Sequence, residues 1–265
     1  MDKYYVEGWG NSWHRTLSDE EKEAYKKAGI NVDTFGEFFI KDGCMNETEY
    51  RDSNKKIVFI TKEAYTSETD LNNHIIDITR DYYDPNINTH FWRRLHQWAY
   101  GLLNTSKEEG IADFNSDERI IENEKNNWEI NVNSELYKNM QKVAIVNLKK
   151  SNGLSSTDYD YLWNYMIPQG DDDLIRKNYR DNLLNQIEQL DPDIIVCCGK
   201  GVLDIIKDDK MYGDKIEEKG GRIYQWKDSK GKTAKLINYV HPSIIGISDD
   251  ILFYGLVVTY LKSLD

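Results

Sequence analysis

The sequence predicts a single α/β domain: a three-layer αβα sandwich with a central, mostly parallel four-stranded sheet. The first observation is a set of four short apolar runs, rich in β-branched residues, of the kind that form buried parallel strands. The second is that helical patterns separate the first three runs, which predicts a sheet covered on both faces. The third is a length of 265 residues, enough for one sizeable core and cramped for two. The runs span residues 57–60, 143–146, 194–198 and 236–240.

Amphipathic spacing predicts the helices that cover this sheet. One helical face is marked by four residues: Phe91, Leu95, Trp98 and Leu102. Further helices are predicted over residues 174–190, directly after Gly199, and at the end of the chain. Residues 222–240 contain two strand-like runs around a turn sequence, which indicates a hairpin that leads into the last strand.

Two segments are expected to lie at the periphery of the domain, which is assigned to the whole chain, residues 1–265. Residues 1–50 form an N-terminal extension, with a helix indicated by a capping box at Ser18 and Glu21. Residues 104–142 are polar and are interpreted as an insertion or lid. The first residues lack the apolar stretch of a signal peptide and no window approaches a membrane span, so a cytoplasmic protein without a membrane partner is expected.

The charged residues limit the classes of function. The formal net charge is −12, which opposes DNA binding unless a local basic patch carries it. Three cysteines, Cys44, Cys197 and Cys198, are too few for a four-cysteine iron–sulfur cluster from one chain. Cys197 and Cys198 are expected to be buried on opposite faces of a strand.

Polar residues follow each apolar run, where the carboxyl ends of parallel strands form the usual ligand-binding edge. A carboxylate (Glu63), an amide (Asn147) and an imidazole (His241) come together there from distant parts of the sequence. A carboxylate can stabilise an oxocarbenium-like sugar, an imidazole can stabilise a departing base, and an amide can bond a base edge. This set of groups favours hydrolysis of a base–sugar bond.

The same segments resemble the motifs of the uracil-DNA glycosylase superfamily. Residues 58–66 resemble the strand and GQDPYH loop of that family, Asn147 its base-reading asparagine, and residues 190–199 its strand-glycine-helix segment. Residues 241–243, His-Pro-Ser, match its HPS motif. The resemblance covers roughly residues 55–262. In the loop, only Tyr65 is retained, and Glu63 replaces an aspartate.

The resemblance implies a role for each matched residue. Glu63 and His241 would be catalytic, the first orienting water or stabilising the sugar cation and the second stabilising the leaving base. Asn147, Tyr65 and Lys62 would contact the base. DNA contacts would come from five residues: Ser243, Ile245, Gly199, Lys149 and Lys150. An aromatic residue should stack on the base, and three are open as candidates: Tyr82, Tyr83 and Phe91.

The expected function is therefore that of a monomeric, monofunctional DNA glycosylase that needs no cofactor or metal and whose partner is DNA carrying an abnormal pyrimidine. Uracil and a 5-substituted cytosine remain equally open as substrates. One alternative is a glycosylase against modified bases of phage DNA in antiviral defence. Another is a non-catalytic nucleic-acid or nucleotide sensor with the same fold. A nicotinamide enzyme is disfavoured because the first strand lacks the G-x-G-x-x-G pattern.

Overall fold

The structure is a computed structural model that describes part of the chain. The described residues are 23, 39–62, 75–78, 90–112, 121–122, 128–129, 134–150, 159–168, 170 and 172–264. The capping-box helix predicted at Ser18 lies outside them. Within the described ranges, no helix is long and apolar enough to cross a membrane.

Helices separate the first three predicted strands along the chain, as the sequence predicts. The strands are β1 (Phe39–Lys41), β2 (Gly43–Cys44), β3 (Ile57–Thr61), β4 (Ile75–Asp77), β5 (Ile121–Glu122), β6 (Trp128–Glu129), β7 (Val143–Asn147), β8 (Ile194–Cys198), β9 (Ile216–Gly220), β10 (Ile223–Lys227) and β11 (Thr233–Tyr239). The helices are α1 (Glu47–Asp52), α2 (His90–Asn104), α3 (Glu135–Met140), α4 (Tyr159–Met166), α5 (Leu174–Gln189), α6 (Val202–Ile206) and α7 (Asp249–Lys262).

The main sheet has the strand order β2-β7-β3-β8-β11-β10-β9. The four central strands, β7, β3, β8 and β11, run parallel to one another and correspond to the four predicted strands. The prediction of a four-stranded sheet is nevertheless wrong in number, because β2 adds an antiparallel strand at one edge and β10 and β9 add two at the other. The predicted hairpin is confirmed by the antiparallel pair β10–β11.

Each central strand is buried on both faces, and its alternating side chains enter two separate cores. Val58 and Ile60 of β3 pack with residues of α4, α5 and α6. Ile57 and Phe59 point the other way and pack with residues of α2, α3 and α7. Helices therefore cover both faces of the sheet. Burying each such side chain contributes about 1.5–3 kcal/mol, which explains why unbroken apolar runs mark these strands.

The two neighbouring cysteines of β8 follow the same alternation. Cys197 belongs to the core below α4–α6 and Cys198 to the core below α2, α3 and α7. Both side chains are fully buried, and burial raises the pKa of each thiol above its usual range. The prediction that they are buried hydrophobic residues on opposite faces is confirmed.

Both segments expected at the periphery contribute to the core. β2, from the N-terminal extension, pairs with β7. Helix α3, from the predicted insertion, buries Leu136, Tyr137 and Met140, and the last two pack in the core below α2 and α7. The polar composition of residues 104–142 hides this helix, because only one of its faces is apolar.

Candidate functional site

The carboxyl ends of the four parallel strands form one rim of the sheet. Thr61 ends β3, Asn147 ends β7, Gly199 follows β8, and His241 follows β11 by two residues. Alternation along the strands places the side chains of Thr61 and Asn147 on the sheet face that α2 covers, because the residues two positions earlier pack in the core on that face. His241 lies beyond the end of β11, and its ring contact with Phe91 of α2 places it on the same side.

His241 is held as a neutral imidazole with a defined tautomer. The backbone N–H of Ser243 donates to His241 Nδ1 at 3.1 Å, so Nδ1 is an acceptor and the ring proton is on Nε2. Burial, together with the nearby positive charge of Lys62, lowers the pKa of His241 to about 4. At neutral pH the side chain therefore offers a hydrogen-bond donor, Nε2–H, without a positive charge.

Gly199 and Phe91 border the imidazole. Gly199 has φ +110°, a conformation that favours glycine, and a Cβ added there would lie 3.2 Å from His241 Cβ. The ring of Phe91, near the start of α2, has its centroid 5.8 Å from that of His241. Among the three aromatic candidates for base stacking, Phe91 is the one that the structure describes, while Tyr82 and Tyr83 lie outside the described residues.

Asn147 is bonded at both ends of its side-chain amide. Thr61 Oγ1 lies 2.7 Å from Asn147 Oδ1, and Asn147 Nδ2 donates to Asp42 Oδ2 at 3.0 Å. The same carboxylate oxygen accepts the backbone N–H of Asn147 at 2.7 Å. An ionised carboxylate only accepts hydrogen bonds, so the nitrogen of the amide must face Asp42. The amide is therefore held in one orientation.

Asp42 is the centre of a buried polar cluster. Lys150 Nζ lies 2.6 and 2.7 Å from its two carboxylate oxygens, and Gln186 Nε2 donates to Oδ1 at 2.8 Å. All four side chains of this cluster, including Asn147, are at most 2% exposed. Burial lowers the pKa of Lys150, while the adjacent carboxylate acts in the opposite direction.

The burial of Lys149 and Lys150 contradicts the prediction that this pair contacts DNA phosphates. Lys150 is 0% exposed and pairs with Asp42. Lys149 is 1% exposed, and its Nζ lies 5.6 Å from the centroid of the Tyr165 ring. Adjacent lysines usually mark a solvated surface, but here the carboxylate and the aromatic ring replace water around the two ammonium groups.

A buried arginine holds the loop that carries His241. Arg94 Nη1 donates to the backbone carbonyls of Pro242 and Ile244 at 2.7 and 2.5 Å, and Nη2 donates to that of Ile247 at 3.0 Å. Its Nε donates to Asp249 at 2.8 Å, an ion pair that Arg93 shares. Both arginines are therefore paired with the same carboxylate.

Replacing Arg94 with lysine should loosen this loop. An ammonium cannot reach three carbonyls and a carboxylate with the geometry of a guanidinium, so the free energy of unfolding should fall by about 2–3 kcal/mol. Urea unfolding measures this effect. Arg93→Lys is the matched comparison, and equal effects of the two changes would contradict the role of Arg94.

The remaining predicted site residues differ in exposure, and some of them lie outside the described residues. Ser243 is exposed, and Ile245 is 88% exposed next to Gly246, where φ is +84°. The expected contacts of Ser243, Ile245 and Gly199 with DNA stay predictions. Glu63 and Tyr65 lie outside the described residues, directly after Lys62.

Comparison with known proteins assigns no family to the chain. No protein-family model matches it, and a search of curated proteins finds no match. The function therefore has to be inferred from the residues of the chain itself.

Proposed function

We propose that this chain is a monofunctional DNA glycosylase that takes a pyrimidine out of the DNA stack and hydrolyses its N-glycosidic bond. The observation that carries the proposal is the shared position of a neutral Nε2–H donor on His241 and an oriented amide on Asn147. Both lie at the carboxyl edge of the parallel sheet and on the same face of it. In the sequence, a carboxylate, Glu63, comes two residues after the end of β3.

The neutral imidazole suits the departing base. As the glycosidic bond breaks, negative charge develops on the base and is shared by the carbonyl oxygen O2 of a pyrimidine. A hydrogen bond that strengthens as this charge develops lowers the barrier, and a fixed donor needs no reorganisation. His241 has the tautomer that such a role requires, and the backbone N–H of Ser243 maintains it. Phe91 would stack on the base, since its ring borders the imidazole.

The orientation of Asn147 supports a uracil-type base over a cytosine-type base. Its donor, Nδ2, faces Asp42, and its acceptor, Oδ1, faces Thr61 on β3. In the strand order, β3 lies on the side of β7 that leads to β11 and His241. If O2 of the base accepts a hydrogen bond from His241, the acceptor Oδ1 of Asn147 lies opposite position 3 of the pyrimidine ring. The donor Nδ2 of Asn147 then lies opposite position 4. Uracil offers N3–H and O4 there, whereas cytosine offers a lone pair and an amino group.

The burial of Asn147 is consistent with base flipping. Its side chain is 2% exposed and would be reached only by a base inserted fully into the protein. With Lys149 and Lys150 buried, phosphate contacts would come from exposed groups at the same rim, such as Lys200 and Ser243. The exposed Ile245 would fill the space that the flipped base leaves.

The test is base release from a panel of duplex and single-stranded DNAs. Each DNA carries one uracil, 5-substituted uracil, cytosine, 5-substituted cytosine or purine lesion, and mass spectrometry identifies the free base. We expect release of uracil or a 5-substituted uracil, with abasic sites formed in equal amount. Release of 5-substituted cytosine alone would contradict the amide assignment. Binding without release from any DNA would favour the sensor alternative.

A further inference from the structure

We propose that Asp42 is the residue that sets the base specificity of this site, by fixing which atom of the Asn147 amide faces His241. The inference rests on the proposed function. It gives a role to a residue of the N-terminal segment, which lies outside the sequence motifs that predict the site. Asp42 touches no base. It is a positioning residue that acts through Asn147.

The hydrogen-bond directions make the orientation unambiguous. Leu148 N–H donates to the Thr61 carbonyl, so the backbone N–H of Asn147 points away from β3, towards β2. A backbone N–H can only donate a hydrogen bond. Asp42 Oδ2, which receives the N–H of Asn147, is therefore the acceptor. The same oxygen lies 3.0 Å from the Asn147 amide and selects its nitrogen.

A second interaction keeps this oxygen an acceptor. Lys150 donates to both carboxylate oxygens at 2.6 and 2.7 Å, and the pair is fully buried. An ammonium has donors only, so both carboxylate oxygens act as acceptors in these bonds. Lys150 thus supports the orientation that Asp42 imposes.

The orientation has a direct consequence for selectivity. Asn147 retains one amide hydrogen and one oxygen lone pair beyond its bonds to Asp42 and Thr61. The oxygen acceptor of Asn147 lies on the side of His241, and the amide donor lies on the side away from His241. Cytosine would place its amino group against the Asn147 donor and its ring lone pair against the Asn147 acceptor. A site built on such hydrogen bonds rejects the mismatched base strongly.

The experiment compares two double variants that both lack the buried ion pair. Asp42→Ala with Lys150→Met removes the fixed oxygen, and water, which can donate or accept, can take its place. Asp42→Asn with Lys150→Met removes the same charges but keeps an oxygen towards the Asn147 backbone N–H. Initial rates of uracil and cytosine release are measured for both variants, for the parent protein, and for Asp193→Asn at the opposite end of β8.

We expect the parent, the Asn/Met variant and Asp193→Asn to favour uracil over cytosine by at least about 100-fold. In the Ala/Met variant, this ratio should fall by about tenfold or more. An unchanged ratio in Ala/Met, with uracil release retained, overturns the role of Asp42 while leaving the glycosylase proposal intact. Absence of release by the parent overturns the proposed function instead.

A measurement on the unsubstituted protein tests the same orientation without any substrate. In ¹⁵N-edited NMR spectra, one of the two side-chain amide protons of Asn147, the proton bonded to Asp42, should be strongly protected from solvent exchange. In the Asn/Met variant this protection should persist. Rapid solvent exchange of both amide protons in the parent would overturn the proposal even if the Ala/Met variant does not fold.

Discussion

Replacing His241 with alanine is expected to slow base release by roughly 100- to 1000-fold, the scale on which a single positioned donor to a developing anion acts. Binding to the abasic product should change little, because the departing base is absent from that complex. Single-turnover kinetics and titration with abasic DNA measure the two effects. A variant that retains its fold but binds no DNA would show that His241 holds the loop and does not act on the base.

The pH profile gives an independent check on the same residue. The pKa of His241 is lowered to about 4, so the imidazole stays neutral as the pH falls from 8 to about 5. Its protonation should therefore depress the rate only as the pH approaches 4. A loss of rate with a midpoint near 6.5, absent from the alanine variant, would show instead that the imidazole is not shielded from water.

Replacing Glu63 with glutamine is expected to reduce base release by at least about 100-fold, the scale of a positioned acid–base group. The reason is the loss of the negative charge that would orient water or stabilise the sugar cation. Glu63 lies outside the described residues, and the proposal for it rests on its place in the sequence after β3. Thermal unfolding should be unchanged, since the substitution preserves size.

Glu63→Asp is the matched control. It keeps the charge and restores the residue that the resembled family carries at this point, so it should retain far more activity than the glutamine variant. Equal activity of the parent and the glutamine variant would remove Glu63 from the mechanism.

The central sheet was predictable from sequence because buried parallel strands leave a clear pattern. Residues 194–198 were predicted and observed with the same bounds, and the strand predicted over 143–146 extends by one residue to Asn147. The edge strands were not predictable. β2 has two residues, too few to show any periodicity, and β9 carries charged residues that are typical of a loop.

The polar residues of the site were likewise predictable only in part. His241 and Asn147 were predictable because each ends or follows an apolar run. Asp42 was missed because Asp-Gly, residues 42–43, is typical of a turn, and nothing local indicates that Lys150 and Gln186 converge on it from distant segments. The burial of Lys150 was unpredictable for the same reason. A buried ion pair is a property of tertiary structure, whereas a lysine pair in sequence is typical of a solvated surface.

The two outer strands of the main sheet have consequences for how copies of this protein meet in solution. An edge with unpaired N–H and C=O groups can recruit a strand from another molecule and start aggregation. At one edge, β2 offers only two residues for such pairing. At the other, β9 presents Glu217, Glu218 and Lys219 as exposed side chains. A β-strand added there would bring its own side chains against fixed charges, so the main sheet should resist edge-to-edge growth through either of these two strands.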